Sequence, residues 1–146
     1  MREVRNRLLG TWHLTRWEAR YDDGRVIFPM GEDAIGFLIY AADGYMAATL
    51  SRRDRAPFVS GEMLSAQIAE KTRGWDSYFS YVGRYEVGEG KVTHFVEASQ
   101  FPNWVGDAQL RLMDLDGDRL ELATEPQKSR RGLQTSHLMW QRAHHP

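Results

Sequence analysis

Leu110-Arg111-Leu112-Met113-Asp114-Leu115-Asp116-Gly117-Asp118-Arg119-Leu120-Glu121-Leu122 decides the fold. Apolar and polar residues alternate on both sides of an Asp-Gly pair, and that dipeptide suits the tight turn of a β-hairpin. Read as a two-residue turn, Asp116-Gly117 pairs Leu115 with Asp118, Met113 with Leu120 and Arg111 with Leu122. Strand side chains alternate between faces, so Met113, Leu120 and Leu122 share an apolar face. That face points inward, and Arg111 goes in with it.

The same punctuation recurs at Asp23-Gly24 and Asp43-Gly44, and Gly88-Glu89-Gly90 marks a fourth turn. Strands follow near 10–21, 25–29, 35–41, 45–51, 81–87, 91–99, 108–115, 118–124 and 135–142. Short strands joined in sequence suit an antiparallel up-and-down barrel of about eight or nine strands, which removes exposed edges by closing. One segment breaks the pattern. From Glu62 to Tyr78 there are few β-branched residues, Ser60 can cap, and Ile68, Trp75 and Phe79 fall near one helical face. This predicts one mid-chain helix, broken at Gly74, packed on the barrel or lying over a mouth.

The 146 residues form one domain, 1–146, with 42% hydrophobic and 27% charged residues. With 19 basic and 20 acidic residues the net charge is -1, which offers no electrostatic case for nucleic acid or an anionic membrane. No apolar run would span a bilayer. There is no cysteine, hence no disulfide framework or thiolate site. The first residues lack a signal-peptide pattern, so the expected location is cytoplasmic. Five Trp, six Tyr and six Phe are ample flat apolar surface for a core or pocket.

Two further register readings fill the interior. Taken as a three-residue turn, Gly88-Glu89-Gly90 pairs Val87 with Lys91, so Tyr81, Tyr85, Phe95 and Glu97 face inward and His94 outward. Joining the inward faces across Gln100–Gly106 sets Glu97 opposite Arg111 and Ser99 opposite Gln109. The last strand contributes Thr135, His137 and Met139. A buried carboxylate–guanidinium pair is costly to desolvate, so it either fixes register or serves a pocket. Outward-facing Leu110, Leu112 and Val96 are candidates for a homodimer patch.

Gly10-Thr11-Trp12, Gly31-Glu32-Asp33-Ala34-Ile35-Gly36, Leu38-Ile39-Tyr40 with Asp43-Gly44-Tyr45-Met46, Tyr81-Val82-Gly83-Arg84-Tyr85 and the run Val96–Gly106 followed by Arg111 cover nearly the whole chain. Together they resemble the short bacterial and fungal lipocalin-like domain proteins, a calycin-type barrel. The resemblance implies that Gly10 and Trp12 open the first strand at the closed end, with Arg142 lying across Trp12. Phe95 departs from the pattern, standing where the family motif has a second histidine after His94. That works against any scheme needing paired histidines.

Three functions remain open. The barrel can bind a small apolar or aromatic molecule, anionic if it meets Arg111, with Tyr81, Tyr85, Phe95, Glu97, Ser99, Gln109, Arg111, Met113, Leu120, Leu122 and His137 as walls and Trp104 at the rim. It can be a cofactor-independent isomerase or cyclase on a polyketide- or terpenoid-like substrate, with Glu97 as base, Tyr81 or His137 as proton donor and Arg111 stabilising an oxyanion. Or the interior is filled and the domain is structural or binds a partner. The five histidines show no paired ligand spacing, so no metal site is expected. No phosphate loop or nucleophile elbow supports a cofactor. His144-His145-Pro146 reads as a solvated tail.

Overall fold

The computed structural model describes residues 1–144; His145 and Pro146, read above as part of a tail, lie outside the described residues. Ten strands form one antiparallel sheet: β1 (Gly10–Tyr21), β2 (Val26–Ile27), β3 (Ile35–Tyr40), β4 (Tyr45–Ser51), β5 (Tyr78–Gly88), β6 (Lys91–Ser99), β7 (Ala108–Asp116), β8 (Arg119–Ala123), β9 (Gln127–Ser129) and β10 (Gly132–Arg142). Their order is β2-β1-β3-β4-β5-β6-β7-β8-β10-β9, and β1 also pairs with β10. Eight strands therefore close a barrel, while β2 and β9 extend it beyond the ring. The alternating pattern predicts this architecture. It leaves out β9, which has no alternating apolar residues, and a short N-terminal helix, α1 (Arg2–Leu8).

One end of the barrel is packed shut. Leu8 from α1 and Trp12 from β1 are fully buried, and the Trp12 indole N–H donates to the Leu8 carbonyl at 2.9 Å. The Arg142 guanidinium stands 4.3 Å from the Trp12 ring centroid. It also donates to the Leu9 carbonyl at 2.8 Å, to the Arg7 carbonyl and to the Asp118 carboxylate at 3.1 Å. These bonds tie the ends of the chain together where β1 meets β10.

The mid-chain helix is shorter than the sequence suggests. α2 spans Ile68–Asp76 and follows a separate turn of 3-10 helix at Met63–Ser65. Its cap is Gln67, which makes a reciprocal capping box with Glu70. Ser60 instead bonds within its own loop. Gly74 does not break the helix; Phe58 packs where a Cβ would stand. Ile68 and Trp75, expected on the packed face, are 83% and 51% exposed.

Hairpin register decides which residues enter the barrel. The β7–β8 turn consists of Gly117 and Asp118, so Asp116 pairs Arg119, Leu115 pairs Leu120 and Met113 pairs Leu122. Gly117 has φ 59 and Asp118 does not have positive φ, the pattern of a type II′ turn with glycine first. This differs from the predicted register by two residues, so the predicted faces hold.

The β5–β6 turn differs by one. Its loop is two residues, Gly88 pairs Lys91, and Tyr85 pairs His94. A one-residue slip exchanges the faces of a strand. His94 and Val96 therefore go inward, while Phe95 goes outward beside Arg84. Farther along, Gly83 pairs Val96 but Val82 pairs Ala98, so Glu97 is the extra residue of a β-bulge. A Cβ on Gly83 would lie 1.9 Å from the Phe95 carbonyl oxygen, and only glycine fits this close approach. Replacing it, Gly83→Ala, should lower stability by about 3 kcal/mol or more through overpacking. Gly61→Ala, at a site with nothing within 4 Å, should stay within about 0.5 kcal/mol; urea denaturation of both variants measures the contrast.

Candidate functional site

Above the packed end the barrel encloses a cavity of about 290 Å³. Most of its wall is apolar: Leu38, Leu50, Phe79, Leu122 and Leu138 contribute, with Trp17, Trp104 and Trp140 adding flat surface. Trp17 enters through a second bulge. Leu14 pairs Trp140 but Arg16 pairs Met139, leaving Thr15 extra. The bulge turns Trp17 and Ala19 inward and puts Arg16 outside, a choice the sequence leaves open. The indole N–H groups of Trp17 and Trp140 are buried and have no acceptor among the described residues.

Trp104 sits on a 3-10 turn, Pro102–Trp104, between β6 and β7. Its ring meets Phe79 edge-on at 5.1 Å and Tyr81 at 5.3 Å. The Arg111 guanidinium lies 5.9 Å from the Trp104 ring centroid. Arg111 lines the cavity, as its strand face predicts. Its only side-chain hydrogen bond among the described residues goes to the Leu110 carbonyl, at 3.0 Å. No ion pair joins it to a described carboxylate.

Beside it stands a histidine held by two tyrosines. His94 is 1% exposed. Its Nε2 shares a hydrogen bond with the Tyr40 hydroxyl at 2.6 Å, and its Nδ1 shares one with the Tyr81 hydroxyl at 2.7 Å. Burial, reinforced by the positive charge of Arg111, pushes the imidazole down to about 3, so it is neutral at pH 7. Burial pushes the Tyr40 hydroxyl well above its usual range. It also raises Tyr81, against the opposing pull of Arg111. All three groups are thus held uncharged and hydrogen-bonded.

Of the residues expected to form the site, the structure brings Tyr81, Trp104, Arg111 and Leu122 to the cavity. Tyr85 and Leu120 are buried but do not line it. Tyr85 packs edge-on against Tyr40 at 4.8 Å and donates to the Ala41 carbonyl. Met113 packs on the core, and Gln109 stands opposite His94; neither reaches the cavity wall. The Ser99 hydroxyl accepts the Phe101 backbone N–H and also stays off the wall.

Three expectations are corrected outright. Phe95 is 39% exposed on the outer face. Glu97 points outward toward Arg84, at 3.8 Å, so the predicted Glu97–Arg111 pair does not form; Val92 faces Arg111 instead. His137 is also outside, bonded to Glu121 and Thr135, each at 2.9 Å. Its strand presents Ser136, Leu138 and Trp140 to the cavity because Leu138 pairs Leu122 and Trp140 pairs Leu120. Val96, assigned to an outer dimer patch, is 3% exposed in the core. His94 faces inward because it pairs with inward Tyr85; a three-residue turn at Gly88-Glu89-Gly90 pairs Tyr85 with Thr93 instead and hides it.

The chain matches known proteins along most of its length. A family model described as lipocalin-like domain matches residues 9–143. A curated relative, the 4'-hydroxy-3'-methoxypropiophenone carrier protein ppsC of Aspergillus oryzae, is 32% identical over 106 residues, covering 66% of this chain and 96% of the relative. A solved lipocalin-like protein from Bacteroides uniformis superposes with a TM-score of 0.50 at 14% identity, covering 94% of this chain and 99% of that one. The latter likeness is one of fold. Among the described residues, no helix is long and apolar enough to cross a membrane, and no group of three or more His, Asp or Glu is placed to hold a metal.

Neutral His94 sets a pH dependence. The unfolded chain protonates this imidazole below its ordinary 6.5, whereas the folded chain resists until about 3. The unfolded state then holds more protons, so stability falls as pH falls through that window. The slope should approach about 1.4 kcal/mol per pH unit. Glu18, held low chiefly by its bond to Arg20, adds a loss only below its ordinary 4.5. Urea melts between pH 6.5 and 4.5 isolate the histidine; His94→Gln should flatten the slope there.

Proposed function

The chain belongs to the lipocalin-like domain family, and on that footing we propose that it binds and carries a small aromatic molecule inside the barrel. The observation that carries this reading is Arg111: a cation in a mostly apolar cavity with no described carboxylate beside it. A purely structural interior would be as stable with an apolar residue there. A ligand group that accepts hydrogen bonds supplies the missing partner. The cavity lies near the lower end of the range of about 300–1,000 Å³ for small-molecule sites and suits a single-ring compound. The fungal relative is named for carrying a substituted aryl ketone, which is the same kind of molecule.

The volume weighs against a filled, structural interior. The isomerase alternative loses its named base and one of its proton donors, since Glu97 and His137 stand outside the barrel. His94 remains inside, but burial makes it a weak base. Carriage is therefore favoured over turnover. A chain without cysteine suits a reducing compartment, and the cytoplasm is part of this reading.

Quenching of tryptophan fluorescence tests it, using 4'-hydroxy-3'-methoxypropiophenone and simple aryl carboxylates as probes. The wild type should bind at least one of them saturably. Arg111→Met should weaken binding of an anionic probe by about 10- to 100-fold, the worth of a charge-assisted hydrogen bond of about 1.5–3 kcal/mol. It should leave the urea midpoint unchanged or raised. Ala48→Leu, which fills the cavity, should weaken every probe. A wild type that binds none of them, or an Arg111→Met variant that only loses stability, overturns the reading.

A further inference from the structure

The proton count of the buried Tyr40–His94–Tyr81 chain fixes more than its stability. A neutral imidazole has one N–H donor and one acceptor nitrogen. With the two phenolic hydroxyls, three protons are available for two hydrogen bonds. One hydroxyl therefore donates to the histidine, the other accepts from it, and the acceptor keeps its own proton free.

Two arrangements satisfy that count. In one, Nε2–H donates to Tyr40 and Tyr81 donates to Nδ1, which leaves the Tyr40 proton spare. Tyr40 is 1% exposed, lies against the Tyr85 ring and is absent from the cavity wall. Its hydroxyl has no described partner except His94, so a spare proton there is stranded. In the other arrangement, Tyr40 donates to Nε2 and Nδ1–H donates to Tyr81. The spare proton then belongs to Tyr81, which lines the cavity, where a ligand can accept it. The difference is one unsatisfied buried donor, worth on the order of tenfold or more in population.

We propose that the Tyr40–His94–Tyr81 chain fixes the Tyr81 hydroxyl as a donor into the cavity, so that Tyr81 and Arg111 together select ligands bearing an anionic acceptor oxygen: a phenolate, an enolate or a carboxylate. Tyr81 touches the ligand, and His94 and Tyr40 are positioning residues. Both donors flank Trp104, Tyr81 with its ring centroid at 5.3 Å and Arg111 at 5.9 Å. They therefore belong to one stretch of wall. Ser136 and Gln127 also reach the cavity, but each can donate or accept and imposes no polarity. The burial that keeps His94 neutral preserves the proton count across the physiological range. This inference rests on the carrier reading above and adds the direction of the hydrogen bond to it.

The histidine can be read directly. Nitrogen NMR of the full chain labelled in histidine should show neutral His94 with its proton on Nδ1 at pH 7. A proton on Nε2, or an imidazolium, would overturn the proposal. A ligand test uses 4-nitrophenol, whose visible spectrum reports its ionisation, beside 4-nitroanisole, a similar ring with no acidic proton. Nitrophenol should bind as the anion with its apparent pKa lowered. Tyr81→Phe should weaken nitrophenolate on the order of tenfold and leave 4-nitroanisole unchanged. If neither compound binds, the carrier reading fails for single-ring ligands and this proposal with it. If both bind but nitrophenol stays neutral, or Tyr81→Phe changes nothing, the donor assignment fails and carriage stands. Should Tyr81→Phe not fold, the nitrogen spectrum of the wild type still decides.

Discussion

Closure of the sheet between β1 and β10 is the constraint on which everything else depends. Nine residue pairs join these strands, and the seam is held at one end by Arg142 across Trp12. Once the ring is closed, each strand residue faces either the interior or the outer surface. The packed end consumes Leu8, Trp12 and Leu120, all nearly or fully buried. The bulge at Thr15 then rotates β1, so that Trp17 and not Arg16 faces the open half. A cavity exists because the side chains of this half ring the interior without filling it.

Within that frame, legibility from sequence followed parity. The β7–β8 pairing lies two residues from the one its Asp-Gly turn suggests, and an even shift preserves faces, so Arg111 and Leu122 stay on the side that lines the cavity. At β5–β6 the error was one residue. It exchanged His94 with Phe95 and moved the most informative residue of the site to the wrong side. Gly83 was the trace of the real geometry, since its missing Cβ admits the Phe95 carbonyl. A lone glycine in a strand suggests a bulge, but it does not say which strand carries the extra residue. On β10 the inward face is not legible from the sequence because no turn of fixed length anchors its register to β8; the β9 excursion intervenes. The helix failed differently. Its apolar spacing suggests a packed face, whereas Ile68 and Trp75 are exposed and the helix is fixed by its capping box and by Phe58.

The two buried acid–base stories in this barrel have opposite characters. Glu18 lies on the outer face between Arg16 and Arg20, with oxygens 3.2 Å and 2.7 Å from their guanidinium groups. Its charge is fully answered, and it adds to the closing strand without involving the interior. Arg111 is the reverse, a charge brought inside and left without an acid. The expected Glu97 would have answered it, and the site would then have been a closed ion pair with nothing to offer a ligand. The two-residue β5–β6 turn, which puts His94 and Val96 inside and Glu97 outside, is thus the backbone event that keeps Arg111 available.

The same logic extends to the hydroxyls. A charged histidine at position 94 would place two cations close together in a low-dielectric interior, and each would raise the cost of the other. Keeping His94 neutral avoids that repulsion, but it forces the imidazole to be both donor and acceptor. The two tyrosines cannot then be equivalent, although they sit at almost equal distances from the ring. What distinguishes them is location: Tyr40 faces packed core and Tyr81 faces open volume. The asymmetry of the protein around a symmetric hydrogen-bond pair gives the cavity a polarity that agrees with the charge of Arg111.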